Sequence, residues 1–277
     1  MSEVIVTAAN SKYNQLLKGL IFSTRPYKVC VLDLGLESYE IDWLKSQGCD
    51  VKKPEPILGN SEMRDSVLGY VERPSITQIF PDYEKYLWLD SDVWVQDISA
   101  IKDLFDACDR FDVCVVPEID RNFINKLHLQ SNLWKFEKME QYYGELVALE
   151  LSHIPMFNSG VVAAKKESQI WTNWSSALAF ILINGHEPDF GIDQISLNYA
   201  LGKSELKVGM FSALYNWTLH LGMPIIKDGK LVEAMPPHNI IKLIHLSSNS
   251  KNYKHNITRF EGGIDIRHLE WFDFNGT

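Results

Sequence analysis

The segment Tyr86-Leu87-Trp88-Leu89-Asp90-Ser91-Asp92 runs an apolar strand straight into two carboxylates one residue apart. Alternate side chains of an extended chain share a face, so Asp90 and Asp92 can converge on one point. Two close carboxylates repel, and burying both uncompensated is costly. A hard divalent cation removes that cost. Oxygen ligands suit Mg²⁺ or Mn²⁺, with open positions left for water and phosphate oxygens. The plainer alternative is a pair of solvated acids at a strand end. Other residues offer chemistry only through their surroundings. Asn158 stands before Gly160 in what reads as a turn ahead of a strand, and Asp193 follows Gly191 where it can cap a helix. Asp33 closes an apolar run, Arg73 precedes Pro74, and Arg64 is a second basic candidate for a phosphate. His245 follows Ile240-Ile241-Lys242-Leu243-Ile244 and by periodicity alone reads as a packed histidine.

Short strands and helices alternate through the first half and must position these groups. Glu3 to Ala8 reads as a strand, and Asn10 or Ser11 can cap a helix over about Lys12 to Thr24. Lys28 to Leu32 is a second strand, and Ser38 to Gln47 a helix stopped by Gly48. Asp50 to Lys52 is a short strand cut off by Pro54 and Pro56, and Pro74 opens another helix. Lys85 to Leu89 is a buried strand, followed by a helix from Ile98 to Cys108 and a strand from Asp112 to Val116. This alternation predicts an α/β domain with a single Rossmann-like, mostly parallel central sheet flanked by helices. Ligands of such sheets bind outside the carboxyl ends of the strands. Here those ends are Thr7-Ala8-Ala9-Asn10, Asp33 and Asp90-Ser91-Asp92. The second half is less regular. It opens with a helical insertion at about 121–150 rich in aromatics (Phe123, Trp134, Phe136, Tyr142, Tyr143). A strand from Val161 to Ala164, helices over Glu167 to Asn184 and Asp193 to Leu201, and a strand from Ile240 to Leu246 follow. With no repeat and no low-complexity linker, 1–277 reads as one domain.

Composition narrows the class. A chain of 277 residues, 45% hydrophobic and 23% charged, suits one elaborated domain with a substantial core. A net charge of −9 without a basic run argues against nucleic acid and against a polybasic grip on anionic membranes. Cys30, Cys49, Cys108 and Cys114 form no C-x-x-C pair and read as buried thiols of a reducing compartment. Met1-Ser2-Glu3 leads into an apolar run with no basic signal-like region. The apolar stretch Ala177 to Ile183 is far below the roughly 20 residues of a transmembrane segment. The sequons at Asn173, Asn216 and Asn256 then read as chance, and the expected location is cytoplasmic.

Taken in order, several segments resemble a GT-A-fold glycosyltransferase, close to glycosyltransferase family 8. Val6-Thr7-Ala8-Ala9-Asn10 with Tyr13 resembles that family's nucleotide-binding first strand and loop, and Val31-Leu32-Asp33-Leu34 its second strand. Arg73 lies where the family carries a basic residue reaching the donor. Asp90-Ser91-Asp92 resembles its D-x-D metal motif, and Phe157-Asn158-Ser159-Gly160 its N-x-G segment near the donor sugar. Asp193-Gln194 with Leu197-Asn198 resembles its D-Q-x-x-L-N helix start. Ile244-His245-Leu246 with Lys251 resembles its late metal-binding histidine and diphosphate-binding lysine, although the family's usual Gly and Lys-Pro-Trp-like ending is replaced by Ser247-Ser248-Asn249-Ser250-Lys251.

The resemblance implies a GT-A fold with a nucleotide-binding half at about 1–117 and a sugar and acceptor half at about 118–277. It implies a metal-dependent transferase that moves a sugar from a UDP-linked donor to an acceptor hydroxyl with retention. Asp90, Asp92 and His245 would hold the metal, the mixed oxygen and nitrogen set leaning toward Mn²⁺ over Mg²⁺. Thr7, Ala8, Asn10, Tyr13, Asp33, Arg73, Ser91 and Lys251 would bind the nucleotide, and Asn158, Ser159, Asp193 and Gln194 the donor sugar. Asp193 and Gln194 also carry the expected catalytic role; an amide is a poor nucleophile, so Gln194 is expected to stabilise the developing oxocarbenium. Two alternatives stand beside this reading. One is a sugar-nucleotide-binding protein without transferase activity. The other is a HAD-type phosphohydrolase, whose motif also opens with D-x-D but needs Thr or Val where Trp94 stands and its first Asp near the N-terminus. The acceptor is open: Trp134, Phe136, Tyr142 and Tyr143 either stack on a sugar or pack into the core, and Trp217 and His220 are further candidates.

Overall fold

The computed structural model describes residues 2–58, 63, 65–123 and 127–276, and of 65, 66 and 127–131 the backbone alone. Arg64 lies outside the described residues. The first half runs β1 (Glu3–Ala9), α1 (Asn14–Ser23), β2 (Val29–Asp33), α2 (Ser38–Ser46), β3 (Asp50–Lys52), α3 (Asp65–Val71), α4 (Ile76–Ile79), β4 (Lys85–Leu89), β5 (Val93–Val95), α5 (Ser99–Ala107) and β6 (Val113–Pro117). The second runs α6 (Leu127–Tyr143), α7 (Glu145–Leu151), β7 (Phe157–Lys165), α8 (Gln169–Ile183), α9 (Ile192–Gly202), β8 (Val208–Met210), β9 (Trp217–Thr218), β10 (Ile225–Lys227), β11 (Lys230–Val232), β12 (Leu243–His245), β13 (His255–Thr258), β14 (Ile264–Arg267) and α10 (Trp271–Asn275).

Among the described residues the main sheet has seven strands in the order β3-β2-β1-β4-β7-β6-β8. Its pairs are parallel except where β7 runs antiparallel to β4 and β6. The period-2 alternation of the strands sends successive side chains to opposite faces. Ile5, Val31, Leu87 and Leu89 pack with Leu17, Leu44 and Phe105 of the helices on one side. Val4, Val6, Tyr86 and Trp88 pack with Ile76, Trp174 and Leu197 on the other. Both faces are therefore dry, which is why these strands read as nearly continuous apolar runs. Each buried Val, Leu or Ile contributes about 1.5–3 kcal/mol. Gly48 ends α2 in a left-handed conformation, φ +82°, which a residue with a Cβ adopts only at a cost.

Three expectations are corrected. Asn158 and Gly160 lie inside β7, not in a turn ahead of it. Pairing of Val161 with Leu89 and of Asn158 with Val116 extends that strand through the polar residues. Asp193 does not cap its helix: Gly191, at φ +83°, occupies the cap and Asp193 lies in the first turn. The late strand is confined to Leu243–His245. It belongs to a second, three-stranded sheet, β5-β12-β9.

The aromatics of the insertion pack inward. Tyr142 is buried. Tyr143 stacks on Tyr199 of α9 at 3.9 Å between centroids, and Trp134 leaves no room for a Cβ on Gly191. The C-terminal α10 packs likewise, Trp271 stacking on Phe22 of α1. No helix among the described residues is long and apolar enough to cross a membrane.

Candidate metal and donor site

The carboxyl ends of β1, β2 and β4 lie on one edge of the main sheet, with Ala9 beside Asp33. Asp90 and Asp92 follow β4 and lead into β5, and β5 pairs antiparallel with β12 so that His245 stands opposite Val93. The Leu246 N–H donates to the Asp92 carbonyl at 2.9 Å, closing the junction. His245 Nε2 lies 3.3 Å from Asp92 Oδ1 and 3.8 Å from Asp90 Oδ2. One ligand atom from each of these residues lies within 4.8 Å of the others. Adjacent ligands at the roughly 2.1 Å of a small divalent cation stand about 3 Å apart, so the donor set fits such an ion. Gly160 floors the corner. A Cβ there would lie 2.6 Å from His245 Cε1, 2.8 Å from Asn158 Oδ1 and 3.0 Å from Asp90 Oδ2.

Arg73 and Lys251 flank the carboxylates. Arg73 is buried and pairs with Asp90 at 2.9 Å and Asp193 at 2.7 Å, and its guanidinium lies over the Trp88 ring. It also donates to Ser159 Oγ at 2.9 Å. Lys251 Nζ lies 2.7 Å from Asp92 Oδ2 and over the Tyr13 ring. Burial works against every charge here, and the partners decide the outcome. Burial pushes His245 down, but Asp92 and Asp90 reverse this and hold it above its usual value. Burial pushes Asp92 up, but His245 and Lys251 outweigh it and hold the carboxyl well below the usual range. For Arg73, Asp193 and Asp90 overcome burial and keep the guanidinium charged. For Asp193, burial prevails over Arg73 and Ser159 and raises the carboxyl.

The donor-sugar candidates meet on the same side. Ser159 Oγ donates to Asp193 Oδ2 at 2.7 Å, and Gln194 Oε1 lies 3.3 Å from Asn158 Nδ2 and from the Ser159 N–H. A strong bulge makes this possible. Between the pairs Val115–Val162 and Val116–Asn158, β7 carries three residues, Ser159 to Val161, that face none on β6. Ser91 is buried beside the metal candidates, Ala8 is partly exposed near the end of β1, and Tyr13 is partly exposed beyond it. Three further nucleotide candidates, besides the ion-paired Arg73 and Lys251, are already engaged or hidden. Thr7 is fully buried with its hydroxyl unpartnered. Asn10 Oδ1 accepts from the Lys12 N–H, and Asp33 Oδ1 accepts from the Gly35 and Leu36 N–H groups.

Sequence reasoning passed over Glu118, Asn216 and Trp88. Glu118, at the end of β6, accepts from Asn158 Nδ2 at 2.8 Å and Gln194 Nε2 at 3.5 Å. The strand-end rule applied to β6 would have found it. Trp88 Nε1 donates to Asp90 Oδ1 at 2.8 Å. Asn216 bonds both Asn158 and His245 at 2.9 Å. Nothing local marks it. Among the described residues, Arg73 and Lys251 are the Arg and Lys side chains paired with these carboxylates, Arg73 with Asp90 and Asp193 and Lys251 with Asp92.

This is the fold of GT-A glycosyltransferases. The apo structure of WbbM, a bifunctional glycosyltransferase, superposes on 89% of this chain and 46% of its own, at 14% identity and a TM-score of 0.55. The galactosyltransferase LgtC, in complex with donor and acceptor sugar analogues, superposes on 89% of this chain and 88% of its own, at 15% identity and a TM-score of 0.52. This chain thus spans less than half of WbbM. No protein family and no curated protein matches the sequence.

Proposed function

We propose that the chain is a metal-dependent, retaining glycosyltransferase that moves a sugar from a UDP-linked donor to an acceptor hydroxyl. The observation that carries the reading is the meeting of Asp90, Asp92 and His245 within 4.8 Å at the carboxyl edge of the sheet. Asp90, Asp92 and His245 would hold Mn²⁺ or Mg²⁺, which when bound supplies positive charge to the diphosphate leaving group. Lys251 adds a point charge on the same side. Arg73 holds Asp90 and Asp193 in place and keeps the donor corner from becoming uniformly negative. Asn158, Ser159 and Asp193, joined on this side by the Ser159–Asp193 and Asn158–Gln194 hydrogen bonds, would line the donor sugar. The Gln194 carbonyl oxygen is turned to two N–H donors and its Nε2 to Glu118, so its dipole is fixed before a donor arrives. Buried free thiols at Cys30, Cys49, Cys108 and Cys114 support a reducing, cytoplasmic setting.

Release of UDP from a panel of UDP-sugars, with and without Mn²⁺ and with Asp92→Ala, tests the reading. Turnover indifferent to both the metal and the substitution would end it. The anomeric configuration of the product, read by proton NMR, tests retention, and an inverted product would end that part of the reading.

A further inference from the structure

Hydrogen bonds run from β7 through Asn216 to His245, and chemistry dictates their direction. A backbone N–H only donates. The Gly160 N–H donates to Asn158 Oδ1 at 2.9 Å, so the Asn158 amide turns its Nδ2 the other way, to Glu118 Oε1 at 2.8 Å and Gln194 Oε1 at 3.3 Å. Asn158 Oδ1 has a second neighbour, Asn216, at 2.9 Å. Two carbonyl oxygens at that distance repel, so Asn216 presents Nδ2 there. Its Oδ1 is then left 2.9 Å from His245 Nδ1. A carbonyl oxygen only accepts, so Nδ1 carries a proton. Asn158, Asn216 and His245 are buried, and solvent offers no competing partner. The nitrogen able to offer a lone pair is Nε2, the one that faces Asp92 and Asp90.

We propose that Asn216 is a positioning residue that holds His245 in its Nδ1–H tautomer and so aims the Nε2 lone pair at the cation site, with the Gly160 N–H and Glu118 fixing the polarity through Asn158. This rests on the metal-site reading above. It also gives a reason for the burial of Asn216, whose sequon is closed to glycosylation. Partners of this kind set the ring orientation of a ligating histidine, and their loss weakens metal affinity about 10–100-fold.

The test is long-range proton–nitrogen NMR on the metal-free protein at a pH where the imidazole is neutral, with His245 assigned by its absence in His245→Gln. The expected signature is a protonated Nδ1 and a bare Nε2. In Asn216→Ala the tautomer should no longer be held at Nδ1–H, and Mn²⁺ should bind about 10–100-fold more weakly by calorimetry, with the melt still cooperative. A wild-type protein with its proton on Nε2 overturns the proposal whether or not the variant folds. So does an Asn216→Ala protein whose tautomer is unchanged and whose Mn²⁺ affinity stays within about twofold. If the wild type takes up no Mn²⁺, the metal-site reading fails, and the tautomer measurement still decides the role of Asn216.

Discussion

Glu233 and Asp92 are both buried carboxylates, 2% and 8% exposed, in surroundings of opposite design. Glu233 receives Arg121 at 2.6 Å, Asn122 Nδ2 at 3.1 Å, Asn239 Nδ2 at 2.7 Å and the Asn239 N–H at 3.2 Å. Every neighbour is a donor. The cluster ties the chain beyond β6 to the end of β11 and needs nothing more. Asp92 instead shares its corner with Asp90, and Asp193 lies across Arg73. Carboxylates set side by side repel, and groups with shifted titration cluster where a protein binds a ligand or does chemistry. The closed cluster is structure, and the open one is where chemistry is expected.

That contrast can be broken at four points. Asp92→Ala should lower metal-dependent turnover by about 10²–10³-fold or more, and urea unfolding should show a loss of stability, because the partly buried Lys251 and the buried His245 lose the carboxylate they pair with. A variant that unfolds while still binding metal would invert the assignment. Gly160→Ala should cost about 10²-fold in donor turnover by displacing His245 and Asp90. Mn²⁺ titration should show the same loss, and an unchanged affinity would mean that the corner is not close-fitting. Glu233→Ala should behave in the opposite way. It removes the acceptor of the Asn239 amide and one of the two acceptors of Asn122 and costs about 2 kcal/mol of stability, with Mn²⁺ affinity unaltered. A loss of metal affinity in step would erase the distinction between the clusters.

The smallest effect is on pH. His245 in the metal-free protein is held above its ordinary 6.5. Its contribution to stability is fully present below that value and is lost as pH rises through the raised one. Asp92 is held below its ordinary 3.8, so its contribution is present above 3.8 and disappears as pH falls through the depressed value. Metal competes with the proton on His245, so Mn²⁺ affinity should rise over the pH range in which metal-free stability declines. Melting curves at pH 6, 7 and 8 with chelator and with Mn²⁺ check this. Parallel trends would remove the link.

Asp90 and Asp92 were legible because an apolar strand ending in D-x-D is a local pattern, and the order of strands and helices was legible for the same reason. Asn158 misled because Asn and Gly together look like a turn; pairing to β4 and β6 holds them in a bulged strand instead. Asp193 looked like a cap because a glycine and an acid before an apolar helix fit one. Arg73 and Ser159 claim its carboxylate in the folded chain, and the cap passes to Gly191. Glu118 was visible to a rule that was not applied to its strand, whereas Asn216 had no local signal at all.

Periodicity, glycine placement and charge were enough to specify an α/β sheet with acids at its carboxyl edge, since each depends on neighbours within a few residues. Family resemblance named His245, but its meeting with those acids, and the way its ring is turned, came only when β12 paired with β5 and the bulge in β7 brought Gly160 and Asn158 beneath it. Those contacts join segments far apart in the chain. Directional hydrogen bonds and close packing select one arrangement there that no short stretch of sequence encodes.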